Sequence, residues 1–375
     1  MKILLAGGGT GGHIVPLVAL IRELRRIVPA KDLKFLYLGP KDEFAELILS
    51  NEGIRTGTVL AGKIRRYGGI LPTIENILDI ILKTPLGIAQ AFWRIFFFSP
   101  DLVFRKGGYG ALPITIGARM LGVPVFLHES DAVPGKANLV TAGFALEIFT
   151  SFPKTLGFKS SKVIHVGNFV RREMLTGSKE EASLIFNLVG DKPLLLVLGG
   201  SQGSQRMNDM ILACLDDLLS DFEIIHQAGL KNADQVRKEA TVVINPAMEK
   251  YYHVVSFMRE TDLRHAYAAA DFVLSRSGAA TIFELAALGK PAILVPLPES
   301  AQNHQMQNAY RYVETGAALV LEESNLTPRF FVEKLRYLFG HKEELEKMSS
   351  AAKSFARPDA AATVAHILVE YLKGV

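Results

Sequence analysis

One pattern is written twice in this chain and limits what it can become. Lys2–Ala6 is a short apolar run, Gly7-Gly8-Gly9-Thr10-Gly11-Gly12-His13 follows, and Ile14–Arg26 has helical spacing with Pro16 in its first turn. Leu194–Leu198 is apolar again, Gly199-Gly200-Ser201-Gln202-Gly203-Ser204 follows, and a helical pattern runs to Leu219. Strand, glycine loop and helix form the opening unit of a parallel sheet. The alternation continues after the first opening, with Leu102–Arg105, the turn Lys106-Gly107-Gly108-Tyr109-Gly110, a helix to Leu121 and the strand Pro124–Leu127. His128-Glu129-Ser130-Asp131 falls at that strand's carboxyl end, where ligands gather in such sheets. Two like openings predict an α/β chain of two doubly wound parallel-sheet domains facing each other across a cleft. Its 375 residues exceed one ordinary core and suit two. The first sheet finishes near Val163–Arg171, so we expect domains at 1–167 and 168–355, with 356–375 a helix returning to the first.

Composition removes several function classes. Hydrophobic residues make up 49% and charged residues 21%, which excludes a disordered chain. The net charge of +4 favours anionic ligands or an anionic membrane surface over extended nucleic acid, and no nucleic-acid motif is present. Cys214 is the only cysteine and lies in an apolar helical pattern, so it reads as a buried thiol rather than a disulfide or metal ligand. The apolar run after Met1 is too short for a signal peptide, which gives the expectation of a cytoplasmic chain.

The most informative stretch for chemistry is Ser275-Arg276-Ser277-Gly278-Ala279-Ala280-Thr281-Ile282-Phe283-Glu284. Phe272-Val273-Leu274 before it is a strand, and Thr281–Leu288 has helical spacing with a stop at Gly289. A small-residue turn opening a helix offers backbone N–H groups at the positive helix end, where phosphate binds. Glu284, one turn in, suits the two hydroxyls of a free ribose. The pattern therefore suggests a nucleotide site. Gly7, Gly9 and Gly12 also satisfy the dinucleotide fingerprint GxGxxG. The next strand, Leu33–Leu38, ends in Gly39-Pro40 with no acid for a ribose, which argues against a nicotinamide or flavin oxidoreductase.

Ala61–Ser99 is unusual. Lys63, Arg65 and Arg66 precede a long apolar series that ends in Phe92, Trp93, Ile95, Phe96, Phe97 and Phe98, interrupted by Glu75, Asp79, Lys83, Pro85 and Arg94. The charges exclude a span. The series fits either a core helix pair or an interfacial helix beside anionic lipid.

Taken together, Gly8–His13, Gly107-Gly108-Tyr109, His128-Glu129 with Gly135 and Asn138, Gly167-Asn168 with Arg171, Gly199–Gly203, Arg276–Glu284, and Gln305 with Asn308 resemble, in order, the MurG family of bacterial N-acetylglucosaminyltransferases. The resemblance covers residues 2 to about 320. It implies two Rossmann-like domains of the GT-B fold. It implies UDP-N-acetylglucosamine as donor, undecaprenyl-diphosphate-linked muramoylpentapeptide as acceptor, no cofactor, other cell-wall enzymes as partners, and the cytoplasmic face of the plasma membrane as location. Donor-binding roles carry onto Thr10, Gly11, Gly12, Asp131, Arg171, Ser201, the Met258 backbone (for uracil), Ala279, Ala280, Thr281, Ile282, Phe283, Glu284 and Gln305. The chain departs from the family's His-Glu-Gln-Asn with His128-Glu129-Ser130-Asp131, and from Asn-Pro with Asn168-Phe169.

The expected reaction is an inverting transfer. His13, at a helix start whose positive end disfavours imidazolium, is the expected base, and Glu129 a second group for orientation or for the proton. No Asp-x-Asp follows a strand end, so no metal is expected. Rivals are another GT-B enzyme (a lipid galactosyltransferase or a UDP-sugar epimerase) and a non-catalytic UDP-sugar-binding protein.

Overall fold

A computed structural model describes the chain at all positions except 9, 10, 63–78, 156, 159, 160, 201, 202 and 375. Lys63, Arg65, Arg66, Thr10 and Ser201 therefore lie outside the described residues. The contacts divide the chain into two compact units, Met1–Val170 with Pro358–Val375, and Arg171–Arg357. These boundaries fall two or three residues later than 167 and 355.

The first unit opens with β1 (Lys2–Ala6), α1 (Gly11–Ile27), β2 (Lys34–Gly39), α2 (Glu43–Asn51) and β3 (Arg55–Thr58). Asp42 starts α2 by accepting hydrogen bonds from the Phe44 and Ala45 N–H groups. Then come α3 (Thr84–Phe98), β4 (Leu102–Arg105), α4 (Leu112–Met120), β5 (Val125–Glu129), α5 (Lys136–Thr141), β6 (Ala145–Thr150) and β7 (Val163–His165). The sheet order is β3-β2-β1-β4-β5-β6-β7, and every pairing is parallel. Both faces are covered, which is why its strands read as continuous apolar runs. On one face Ile3 and Leu5 pack with Leu17, Leu20 and Leu24 of α1 and with Val364, Ala365 and Leu368 of the C-terminal helix Ala360–Gly374. On the other, Leu4 and Val103 pack with Ala91 and Ile95 of α3 and with Ile114 and Ala118 of α4.

Only a narrow stripe of α3 is used in that packing. Gly87, Ala91 and Ile95 are buried, whereas Trp93 (56%), Phe96 (54%) and Phe97 (78%) are exposed. Trp93 and Phe97 stack with ring centroids 6.0 Å apart. The described helix thus leaves most of its aromatic face outside the core. Among the described residues no helix is long and apolar enough to cross a membrane.

The second unit repeats the plan. Its sheet order is β10-β9-β8-β11-β12-β13, all parallel, from β8 (Leu194–Leu198), β9 (Glu223–Gln227), β10 (Tyr252–Val255), β11 (Phe272–Ser275), β12 (Ala292–Leu294) and β13 (Ala318–Val320). The helical pattern after β8 is two helices, Gln205–Ala213 and Leu215–Asp221, broken at Cys214. The apolar spacing continues through the break because both pieces pack on the same core, and Cys214 is a buried free thiol there.

Candidate active site

In each sheet the strand order reverses at one place, β1 beside β4 and β8 beside β11. Loops leaving the carboxyl ends there diverge and make room for a ligand.

At the first switch point, α1 begins at Gly11, three residues before the expected Ile14. Glycine's low helix propensity hid this start, although the first turn tolerates it because those N–H groups have no helical partner anyway. His13 therefore lies inside the first turn, and Pro16 lies deeper than expected. The loop after β4 meets the loop after β1. A Cβ on Gly108, whose φ is 82°, would lie 2.3 Å from the Gly8 oxygen and 3.4 Å from His13 Cε1. Only glycine permits that approach, and it sets the partly exposed His13 ring beside Gly108.

Glu129 ends β5 and is buried. Its Oε1 accepts from the Asp131 N–H at 3.0 Å. Its Oε2 accepts from Gly135 N–H at 3.2 Å and Asn138 Nδ2 at 2.6 Å. One carboxylate thus closes the loop that carries Asp131, which is partly exposed. Burial, and then the Asp131 carboxylate, push the Glu129 carboxyl up to about 7, against the three donated hydrogen bonds.

Sequence reading passed over two residues here, Arg105 and Lys106, both fully buried at the tip of β4. Arg105 bonds Asn138 Oδ1 at 2.5 Å and the Thr141 hydroxyl, which orients the Asn138 amide toward Glu129. Burial lowers its guanidinium to about 10. Two adjacent cations ahead of Gly107-Gly108 were the available signal.

At the second switch point, the helix Ala279–Leu288 follows β11, with Gly278 at its cap and Gly289 left-handed at its end. Its cap residue, Gly278, has no side chain to bond the first N–H groups, and Ile282 N–H makes a helical bond to the Gly278 oxygen. The N–H groups of Ala279, Ala280 and Thr281 thus precede the helical ladder. The side chains of Ile282 and Phe283 belong to the core, and Phe283 packs on Phe355 at 5.1 Å. Anything they give a ligand comes from the backbone.

Glu284 is buried, and its two oxygens already have partners. Oε1 accepts from Arg171 Nη2 at 3.3 Å and Oε2 from the Tyr267 hydroxyl at 3.2 Å. Arg171 also bonds Glu260 at 2.7 Å. A carboxylate has about four acceptor positions, so Glu284 keeps capacity for two hydroxyls. Burial raises its carboxyl, and Arg171 acts against that. Tyr267 and Glu260 are the residues missed in this half. Nothing local marks them, since they reach the site only through the fold.

The loop before the helix is tied down from both sides. Arg276 bonds the Ser204 hydroxyl at 2.5 Å and the Val295 oxygen at 3.1 Å. Ser277 donates to the Gln305 oxygen at 2.8 Å, and Gln305 Oε1 accepts from Leu297 N–H at 3.0 Å. Met258 is buried, and its N–H donates to Gln227 Oε1 at 2.8 Å, so that backbone donor is already engaged.

The chain matches the glycosyltransferase family 28 N-terminal domain over residues 3–150 and the C-terminal domain over residues 194–364. It is 36% identical, over 92% of both chains, to the UDP-N-acetylglucosamine–N-acetylmuramyl-(pentapeptide) pyrophosphoryl-undecaprenol N-acetylglucosamine transferase of Clostridium tetani. The like-named protein of Clostridium kluyveri is 34% identical over 94% of this chain and 95% of its own. Among solved structures, Acinetobacter baumannii MurG superposes with a TM-score of 0.74 at 24% identity, covering 98% of this chain and 99% of that one. A UDP-GlcNAc 2-epimerase from Neisseria meningitidis bound to UDP-GlcNAc gives 0.68 at 17% identity, covering 99% and 100%. At those identities the likeness is one of fold.

Proposed function

Because this chain belongs to the MurG family, the N-acetylglucosaminyltransferases of glycosyltransferase family 28, we propose a division of labour between its two units. The reaction is transfer of N-acetylglucosamine from UDP-N-acetylglucosamine to the muramoyl sugar of undecaprenyl-diphosphate-linked muramoylpentapeptide, in peptidoglycan synthesis. The second unit holds the donor and the first handles the acceptor's proton.

The observation that carries the donor reading is Glu284 in its hydrogen-bonded frame beside a helix start with glycine at its cap. Glu284 takes the ribose hydroxyls, held by Arg171 and Tyr267. The N–H groups of Ala279, Ala280 and Thr281, with the glycine loop and Ser201, take the diphosphate and stabilise it as it leaves. The carbonyl of Met258 remains for uracil. Gln305, whose Oε1 is engaged, offers its amide hydrogens to the transferred sugar.

In the first unit, His13 removes the proton from the acceptor hydroxyl as that oxygen attacks the anomeric carbon from the face opposite UDP. Gly11 and Gly12 bring backbone donors to the same helix start, and Thr10 joins them in binding the donor. Glu129 orients the loop bearing Asp131 beside that site. The exposed Trp93, Phe96 and Phe97 suit the interfacial layer of a membrane, and Lys63, Arg65 and Arg66 in the sequence suit anionic lipid; with a lipid-linked acceptor, the expected place of work is the cytoplasmic face of the plasma membrane.

The test is UDP release from UDP-N-acetylglucosamine with and without a lipid-diphosphate muramoyl acceptor. Release that requires the acceptor is expected. Acceptor-independent release, or formation of a 2-epimer, would overturn the reading.

A further inference from the structure

We propose that Lys106 is a positioning residue for the transfer, holding His128 in one tautomer and locking the turn that sets Gly108 against His13. This rests on the reading of His13 as the base.

His128 is fully buried, and its Nε2 lies 3.0 Å from the Gly167 oxygen. A carbonyl can only accept, so Nε2 carries the hydrogen and Nδ1 presents a lone pair. That lone pair faces Lys106 Nζ. Lys106 Nζ also donates to Asn168 Oδ1 at 2.7 Å, and Asn168 Oδ1 accepts from Phe169 N–H at 3.0 Å. The remaining side of Nζ faces the Phe169 ring, 4.6 Å from its centroid. Two hydrogens of the amine therefore meet two acceptors, and a third, when present, meets a ring face. Burial pushes both Lys106 and His128 toward their neutral forms, while Glu129 and Asp131 draw the Lys106 proton back.

The backbone of Lys106 is pinned as well. Its N–H donates to the Ala6 oxygen at 2.9 Å, at the end of β1. One residue thus joins the ends of β1, β4 and β5 to the segment Gly167–Phe169. Gly107 and Gly108 follow it directly, and Gly108 sets the place of His13. A fully buried amine is costly unless its hydrogens are used, and a side chain serving only to fill space would be apolar. The polar arrangement fixes direction, which an apolar residue could not do.

Lys106→Met keeps the chain length and removes the nitrogen. Misplacing a reacting group by about 1 Å costs on the order of 100-fold. We therefore expect kcat to fall about 10- to 100-fold. The KM for UDP-N-acetylglucosamine should stay within about twofold, since the donor frame lies elsewhere, and the melting temperature should fall by only a few degrees, as His128 Nδ1 and Asn168 Oδ1 lose their donor while the protein stays folded at the assay temperature. Wild-type kcat in this variant overturns the proposal, as does a loss matched by a loss of folded protein. His13→Ala, run in parallel, separates the two readings: full turnover there overturns the base assignment and the role of Lys106 with it, whereas wild-type kcat in Lys106→Met beside a dead His13→Ala overturns the role of Lys106 alone. In the unaltered protein, 15N spectra should show His128 as the Nε2–H tautomer, and Nδ1 protonation would refute the arrangement without any variant.

Discussion

Asp131→Asn restores the amide usual in the family and should change how Glu129 titrates. The Glu129 carboxyl is held at about 7, against 4.5 for an ordinary glutamate, by burial and by the Asp131 carboxylate. The sign follows from where the proton sits. Below pH 4.5 the carboxyl is protonated folded and unfolded, so it adds no penalty. Between pH 4.5 and about 7 the unfolded chain ionises this group while the folded chain holds its proton, so stability falls across that window and the loss is complete once the folded carboxyl has ionised. The full loss is roughly 3 kcal/mol, from 1.36 kcal/mol per pH unit between the two values. Asp131 is the charge that acts on Glu129 after burial, and its partial exposure screens part of that repulsion. Removing the charge should lower the Glu129 value by about one pH unit while keeping the backbone N–H that binds it. Asp131→Asn should therefore match the parent near pH 5.5 and be more stable at pH 8 by about 1.4 kcal/mol, or ~3–6 °C in melting temperature for this unit. Thermal unfolding at both pH values measures this. The acid limb of the kcat/KM profile should move down by the same about one pH unit if Glu129 acts ionised. A stability difference equal at both pH values, or a variant less stable at pH 8, would refute the electrostatic coupling.

Three further outcomes are expected. His13→Ala should lose about 100- to 10,000-fold in turnover while binding UDP-N-acetylglucosamine as before, measured by calorimetry; an equal loss of binding removes the base assignment. Tyr267→Phe deletes one donor to Glu284, worth about 1 to 1.5 kcal/mol, so the KM for UDP-N-acetylglucosamine should rise about 5- to 10-fold with little change in kcat. Phe97→Glu, at the most exposed ring of α3, should weaken sedimentation with phosphatidylglycerol vesicles yet leave turnover on a short-chain soluble acceptor intact; unchanged vesicle binding counts against the membrane face.

What could be read from the sequence was whatever depends on neighbours along the chain. The echo of Lys2–Ala6 in Leu194–Leu198 shows two sheets because a buried parallel strand must be apolar throughout. Glu284 is legible because strand, small-residue turn and helix are consecutive. Its frame is not, since Arg171 reaches it across 113 residues and Tyr267 from another helix. Such pairings are set by sheet order, which local spacing does not encode. The start of α1 was misplaced for a different reason, since glycine is a poor helix former wherever it stands and only the fold shows that Gly11 and Gly12 occupy a first turn. Arg105 and Lys106 fall between these cases. Successive side chains at a strand tip point to opposite faces, so a charged pair there cannot share one exit to solvent. In a central strand covered on both sides, each must find its own buried partners, and here they are Asn138 and Thr141 for one, His128 and Asn168 for the other. Two adjacent cations closing an apolar central strand before a glycine pair therefore imply a polar floor beneath the site, an inference open to a reader holding only the sequence once the strand is known to be central.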